Sequence, residues 1–310
     1  MELLARGAES LYWSGRYFER AENLARMIAE QIDLYMDLPV VDQPGWEPLL
    51  YLTGHEEDFN RLNRPRSEDE VMHWLLLAEG NPGSIAFSLR SARASLRTSW
   101  YLAPPEIWGT CNQLDQCLER ARLGLFSRTA RLLFLREVLD HLLRLNALVA
   151  GSMSHDETYL FWSLGCEIER TDMTLRALHT RIGPAGGGND DEFAHVVWTS
   201  VLRSVSAHQM FRRTRVEDVS AKGVIRFLLQ DPYFPRSVFH CLEQQIGHLK
   251  RLTNSETALE RVIETQLRVV EQLPRERDLD EHLAELLEGV AQVSAGIEST
   301  YWNSYRPVYA

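Results

Sequence analysis

The stretch Leu11-Tyr12-Trp13-Ser14-Gly15-Arg16-Tyr17-Phe18-Glu19-Arg20-Ala21-Glu22-Asn23-Leu24-Ala25-Arg26 decides the architecture, because its pattern returns at Leu160-Phe161-Trp162-Ser163-Leu164-Gly165-Cys166-Glu167-Ile168-Glu169-Arg170-Thr171-Asp172-Met173-Thr174-Leu175-Arg176. Residues 15–26 and 165–176 match in register. Gly15 pairs with Gly165, Phe18 with Ile168, Glu19 with Glu169, Arg20 with Arg170, Glu22 with Asp172 and Arg26 with Arg176, while the aromatic lead-in is offset by one residue. Weaker matches follow in the same order: Trp46 with Trp198, Glu68-Asp69 with Glu217-Asp218, Trp74-Leu75-Leu76 with Phe227-Leu228-Leu229, Asn81-Pro82 with Asp231-Pro232, and Ser84 with Ser237. Collinear matches imply two related halves, 1–150 and 151–310, forming one compact unit with a pseudo-twofold relation. Each half opens on a long helix carrying G-x-x-[FI]-E-R-x-[ED]-x-x-x-R.

Outward from these segments, apolar residues recur at three and four, and the alternating β-branched runs of strands are missing. The expectation is an all-α helical bundle. Long helices are predicted near 3–37, 84–101, 105–123, 127–152, 155–182, 236–252, 255–273 and 278–305, with shorter ones near 67–79, 190–210 and 216–229. The twelve prolines fall between these segments or at their ends. Ser67-Glu68-Asp69-Glu70 has capping-box spacing, Asn81 and Asp231 each stand as a cap residue before a proline, and Asp278 precedes an amphipathic run. Gly183-Pro184-Ala185-Gly186-Gly187-Gly188-Asn189 reads as a linker. It lacks the Lys-Ser/Thr of a phosphate loop.

The chain has 310 residues, 45% hydrophobic and 25% charged, with a formal net charge of −11. That composition suits a folded globular chain, and its acidity disfavours nucleic acid and anionic lipid surfaces. The amino end is too charged for a secretory signal, and no run reaches the roughly 18 apolar residues of a bilayer span. A cytoplasmic protein is expected. Cys111, Cys117, Cys166 and Cys241 form no C-x-x-C pair and read as reduced, semi-buried small hydrophobes.

On a helical projection Glu19 sits in a charged arc with Arg16, Arg20, Glu22, Asn23 and Arg26, bordered by Tyr12 and Trp13. Leu11, Phe18, Ala25, Ile28 and Ile32 form the core face. Glu22 to Arg26 and Asp172 to Arg176 have the favourable acid-first i,i+4 order, and Arg16 lies within i,i+3 reach of Glu19. An exposed ion-pair stripe needs only charge, whereas a repeated order of residue types with glycine at one offset points to close packing and a partly buried ion network. The set Arg16, Glu19, Arg20, Glu22, Arg26, Glu169, Arg170, Asp172 and Arg176 is therefore the candidate site. Two uses stay open: a structural network, or recognition in which the arginines clamp a carboxylate or phosphate and Glu19 and Glu169 accept an ammonium group or a proton.

Other constellations say less. Glu70 with His73 and Glu192 with His195 have the E-x-x-H spacing of di-metal bundles, but they are not equivalent in the repeat, and both acids sit in first turns, where the helix dipole favours them. No metal or cofactor is expected. His141, His179, His208, His240 and His248 lack a Ser or Cys at an informative spacing for a hydrolase triad. Arg203, Arg212, Arg213 and Arg215 with Phe211 read as a solvated helix end.

The segment from Leu3 to Asn23 resembles the start of the bacterial alpha-E family, a helical domain of unassigned function named for its Glu-Arg motif. Asn81-Pro82-Gly83-Ser84, Glu167-Ile168-Glu169-Arg170-Thr171-Asp172, Phe227-Leu228-Leu229 with Asp231, and Phe234-Pro235-Arg236-Ser237-Val238 are similar to its other signature segments. The resemblance spans nearly the whole chain; His155 departs from the basic or polar residue expected there. It implies association with circularly permuted ATP-grasp ligase-like proteins and transglutaminase-like peptidases, hence with amide-bond chemistry. The resulting expectation is a non-catalytic scaffold that docks on an ATP-grasp-like ligase through aromatic surfaces around Trp13, Trp46, Trp108 and Tyr101. The alternative is a peptide- or amino-acid-binding or catalytic domain that uses the paired Glu-Arg motifs. A homo-oligomer is compatible with either.

Overall fold

The computed structural model describes residues 5–37, 45–124, 127–182, 194–214, 219–271 and 278–302, and these are all-helical, with fourteen α-helices and no strand among them. The 183–189 linker, Glu192, Arg215 and Glu217-Asp218 lie outside the described residues. The first half contains α1 (Ala5–Asp37), α2 (Glu47–Thr53), α3 (Glu56–Arg61), α4 (Glu68–Leu76), α5 (Ile85–Thr98), α6 (Pro105–Ala121) and α7 (Arg128–Ser152). The second contains α8 (Glu157–Ile182), α9 (Ala194–Ser204), α10 (His208–Thr214), α11 (Ala221–Gln230), α12 (Val238–Leu249), α13 (Glu256–Val270) and α14 (Leu279–Tyr301).

The fold is organised around α1 and α8, which share the most extensive helix contact in the molecule. Helix α5 packs along α1, α12 along α8, and α7, α9 and α14 close the remaining sides. The buried apolar residues form one continuous cluster running from Ala8 to Trp302. Because α1 is enclosed, its core is not confined to the expected face. Leu11, Phe18, Ala25, Ile28 and Ile32 are buried, and so are Tyr12, Glu19, Glu22 and Asn23 on the arc assigned to charge.

Two glycines set the distance between the central helices. A Cβ on Gly15 would collide with the Trp162 carbonyl oxygen, and one on Gly165 with the Tyr12 carbonyl oxygen. Each glycine thus faces the other helix's backbone, and a larger residue at either place would force the axes apart. Phe18 stacks on Trp162 beside this crossing, with ring centroids 5.7 Å apart.

Four local expectations are corrected. Ser67 precedes α4 in extended conformation, but its side chain makes no cap hydrogen bond; Glu70, the acid three residues on, pairs with Arg64 instead of closing a capping box. Asp278 likewise makes no side-chain cap bond to α14. At Asn81 and Asp231 the capping falls to the serines that follow. Ser84 Oγ accepts from Phe87 N (3.0 Å) and Ser237 Oγ from His240 N (3.2 Å), while Asn81 and Asp231 accept from loop N–H groups ahead of them. The helix expected over 190–210 breaks at Ser206, whose φ is 56°. There Ala207 N donates to Leu202 O and Ser206 N to Arg203 O, a Schellman ending without glycine. Helices α2 and α3 also fill a region where none was expected.

Candidate functional site

The Glu-Arg segments of α1 and α8 meet along the glycine crossing, and each glutamate is bound by arginines of the opposite helix. Arg170 donates to Glu19 through Nε (2.9 Å) and a terminal nitrogen (2.7 Å). Reciprocally, Arg20 donates to Glu169 through Nε (2.5 Å) and a terminal nitrogen (3.0 Å). Arg16 adds a bond from Nε to Glu169 (2.9 Å), so the i,i+3 reach toward Glu19 is not used. The expected i,i+4 pairs do form: Arg26 with Glu22 (3.0 Å) and Arg176 with Asp172 (2.6 Å). All nine expected residues therefore line one seam. It is buried where the carboxylates lie and partly open where Arg20 and Arg176 reach 22% and 32% side-chain exposure.

Several residues outside the nine complete the seam. Arg236, in the loop before α12, donates to Glu19 (2.8 Å), Glu22 (2.5 Å) and Asn23 (2.7 Å), clamping α1 from the second half. Asn146 of α7 donates to Glu22 (2.7 Å), and Asn23 donates to Glu19 (3.0 Å). Arg16 also bonds Ser294 of α14 (2.9 Å), whose hydroxyl lies 2.7 Å from that of Tyr12. Arg236 stands 217 positions from Glu19, and no local spacing connects the two. The one signal was the segment Phe234-Pro235-Arg236-Ser237-Val238.

Electrostatics follow from this pairing. Burial alone would raise the Glu19 carboxyl, but Arg170 and Arg236, helped by Asn23, hold it at about 2. Burial acts the same way on Glu169, where Arg20 and Arg16 outweigh it and keep the group below the ordinary carboxylate value. Both are ionised, and each oxygen of both accepts from at least one arginine. Glu167 is the exception. Burial pushes its carboxyl up, only Arg170 pairs with it (3.1 Å), and its Oε2 is buried without a hydrogen-bond partner. Burial likewise raises the neighbouring thiols of Cys166 and Cys241. All four cysteines are free and fully buried, deeper than the semi-buried placement expected.

The other sequence candidates separate. Glu70 pairs with Arg64 (3.1 Å), and its E-x-x-H counterpart Glu192 lies outside the described residues. Among the described residues no group of three or more metal-ligating side chains converges, and no helix is long and apolar enough to cross a membrane. Phe211 is core, packed edge-on to Phe227, whereas Arg203, Arg212 and Arg213 are exposed. The aromatic residues expected to form surfaces divide as well. Trp46 is buried, stacked on Tyr35 at 4.1 Å, and Trp13 and Trp108 are half-buried beneath Arg16 and Arg93. Tyr101 is exposed.

Curated proteins of Mycobacterium bovis and Mycobacterium tuberculosis, each described only as uncharacterized, are 25% identical over 311 residues, covering 90% of this chain and 34% of their own length. A further Mycobacterium tuberculosis protein is 24% identical over the same extent. The chain thus spans about a third of the length of these relatives. No solved structure matches. The Alpha-E family, described as a predicted alpha-helical domain with a conserved ER motif, matches residues 3–302, and the chain belongs to it.

Proposed function

We propose that this chain is a non-catalytic helical interaction domain whose Glu-Arg motifs are a structural clasp. The observation that carries this reading is the burial of both motif glutamates at 1% exposure with their oxygens occupied by arginines. A general base or an ammonium receptor needs a reachable lone pair, and these carboxylates offer none to a ligand. We further infer that the clasp joins two duplicated halves, 1–150 and 151–310, about a pseudo-twofold axis. The reciprocal pairing of Glu19 with Arg170 and Glu169 with Arg20, the facing glycines, and the equivalent caps at Ser84 and Ser237 support that history.

The family resemblance supplies the partner: a cytoplasmic ATP-grasp-like ligase, or a transglutaminase-like peptidase, acting on peptide or amide bonds. Relatives about three times as long support the idea of a module that works beside other domains. Co-purification with the ligase-like protein, followed by an amide-ligation assay of each component alone and together, tests the assignment. Activity only in the mixture is expected. Turnover by this chain alone would establish the second reading, a binding or catalytic domain acting through the partly open ends of the seam at Arg20 and Arg176.

A further inference from the structure

Helix α8 carries a third half-buried arginine that the clasp does not use. Arg170 is paired with Glu19 and Glu167, and Arg176 with Asp172. One turn and a half further on, Arg181 donates to the neutral Gln31 side-chain oxygen (2.8 Å), and among the described residues no carboxylate meets it. Burial pulls its pKa down to about 10, with only Tyr35 opposing. It therefore remains a cation at neutral pH, and among the described residues no countercharge pairs with it.

Arg181 lines a small half-enclosed cleft of about 30 Å³ between α1, α2, α8 and α9, room for a carboxylate head with the rest of its molecule at the open mouth. The walls combine the apolar side chains of Leu49 and Leu52 with the hydroxyl-bearing residues Thr180, Ser200 and Ser204. Gln31 lies on the same wall at 2% exposure, and its amide nitrogen is buried without a hydrogen-bond partner. An unneutralised guanidinium and an orphan amide donor thus border one space. Each is costly to bury unless something accepts from it.

We propose that this cleft is a carboxylate-binding site, in which a singly charged carboxylate accepts from the Arg181 guanidinium and from the Gln31 amide nitrogen. The charge balance selects the class: one cation and one neutral donor match a monoanion, whereas a phosphate dianion would leave charge unpaired. The carboxylate comes either from a small free acid or from the end of a peptide chain, and the same two donors would hold both. This site is separate from the clasp and does not depend on the scaffold reading.

The test is fluorine NMR on the full chain with trifluoroacetate as probe, at constant ionic strength, with competition by acetate, N-acetylglycylglycine, phosphate and chloride. Saturable broadening of the probe signal, reversed by acetate or by N-acetylglycylglycine, is expected. Stronger competition by acetate identifies a free acid, and stronger competition by N-acetylglycylglycine identifies a chain terminus. Arg181→Met should weaken binding about tenfold or more, as loss of a charge-assisted bond requires. Gln31→Met, which keeps the cation, should weaken it about threefold and guards against misfolding of the first variant. Arg213→Met, at an exposed arginine, should leave binding unchanged. Equal competition by phosphate or chloride, or binding that survives both Arg181→Met and Gln31→Met in folded protein, would overturn the proposal.

Discussion

The clasp and the Arg181 cleft place arginines of the same helix in opposite circumstances. In the clasp, Arg170 meets Glu19 across the helix crossing, with Arg236 bracing the same carboxylate from a third element. In the cleft, Arg181 meets, among the described residues, a neutral amide and no carboxylate. The difference teaches that burial of charge has two outcomes in one fold. A charge matched by a partner of fixed geometry becomes a register device, and an unmatched one becomes a demand for an external acceptor.

Removing one side of the clasp is the severest way to break this contrast. Glu19→Leu removes the carboxylate shared by Arg170 and Arg236, leaving Arg170 only Glu167 and Arg236 only Glu22 with Asn23, and chemical denaturation should show a loss of about 3 kcal/mol. The pH dependence carries the same sign. The Glu19 carboxyl is held at about 2, below its unfolded value, so its stabilisation is present above ordinary carboxylate pKa values and fades as pH falls toward 2. The variant should flatten that part of the acid unfolding curve.

Next in size is the crossing. Gly165→Ala places a methyl group against the Tyr12 carbonyl, and thermal unfolding should report a loss of about 1–3 kcal/mol. At Gly247 in α12 the added methyl group meets open space, so Gly247→Ala should instead gain up to about 1 kcal/mol from helix propensity. Equal responses at the two positions would contradict the close approach of α1 and α8.

Arg181→Met should change stability by about 1 kcal/mol or less, or raise it, because it removes an unpaired charge in place of breaking a pair. A loss as large as that of Glu19→Leu would show that the two regions are not different in kind. The smallest effect is expected at His248, a basic group packed near Arg251 and His155. Burial first, then those two neighbours, lower it to about 4. The neutral ring is favoured in the fold, so stability is full above about 6.5 and declines as pH falls toward 4. His248→Gln should flatten this window in a pH series of melting temperatures. Unlike Arg181, histidine escapes an uncompensated site by losing its proton.

Much of the helix pattern was legible because α5, α6, α11, α12 and α13 carry strong apolar periodicity behind proline- or serine-marked starts. The misses have local causes. Ser206 takes a left-handed conformation that glycine or asparagine more commonly signals, so the break between α9 and α10 carries no residue mark. Helices α2 and α3 are 7 and 6 residues long, too short for a period to register. At Ser67 the expected capping box does not close, because its acid, Glu70, pairs with Arg64, a charged donor stronger than a backbone N–H.

Eight of the nine clasp residues were readable because they recur in order along two segments, Arg16 standing opposite Cys166, and i,i+4 pairs such as Glu22–Arg26 depend only on helical rise. Arg236 and Asn146 were not, since their contacts with α1 span more than a hundred residues. The amino-acid order thus established which side chains share a helical face, a matter of local geometry. It could not establish which faces would be enclosed, because burial of α1 on every side arises from α5, α7, α8, α9 and α14 arriving around it. The same charged arc would be a solvated surface on an isolated helix. Packing alone buried its glutamates in a clasp, and packing alone left Arg181 without a carboxylate among the described residues.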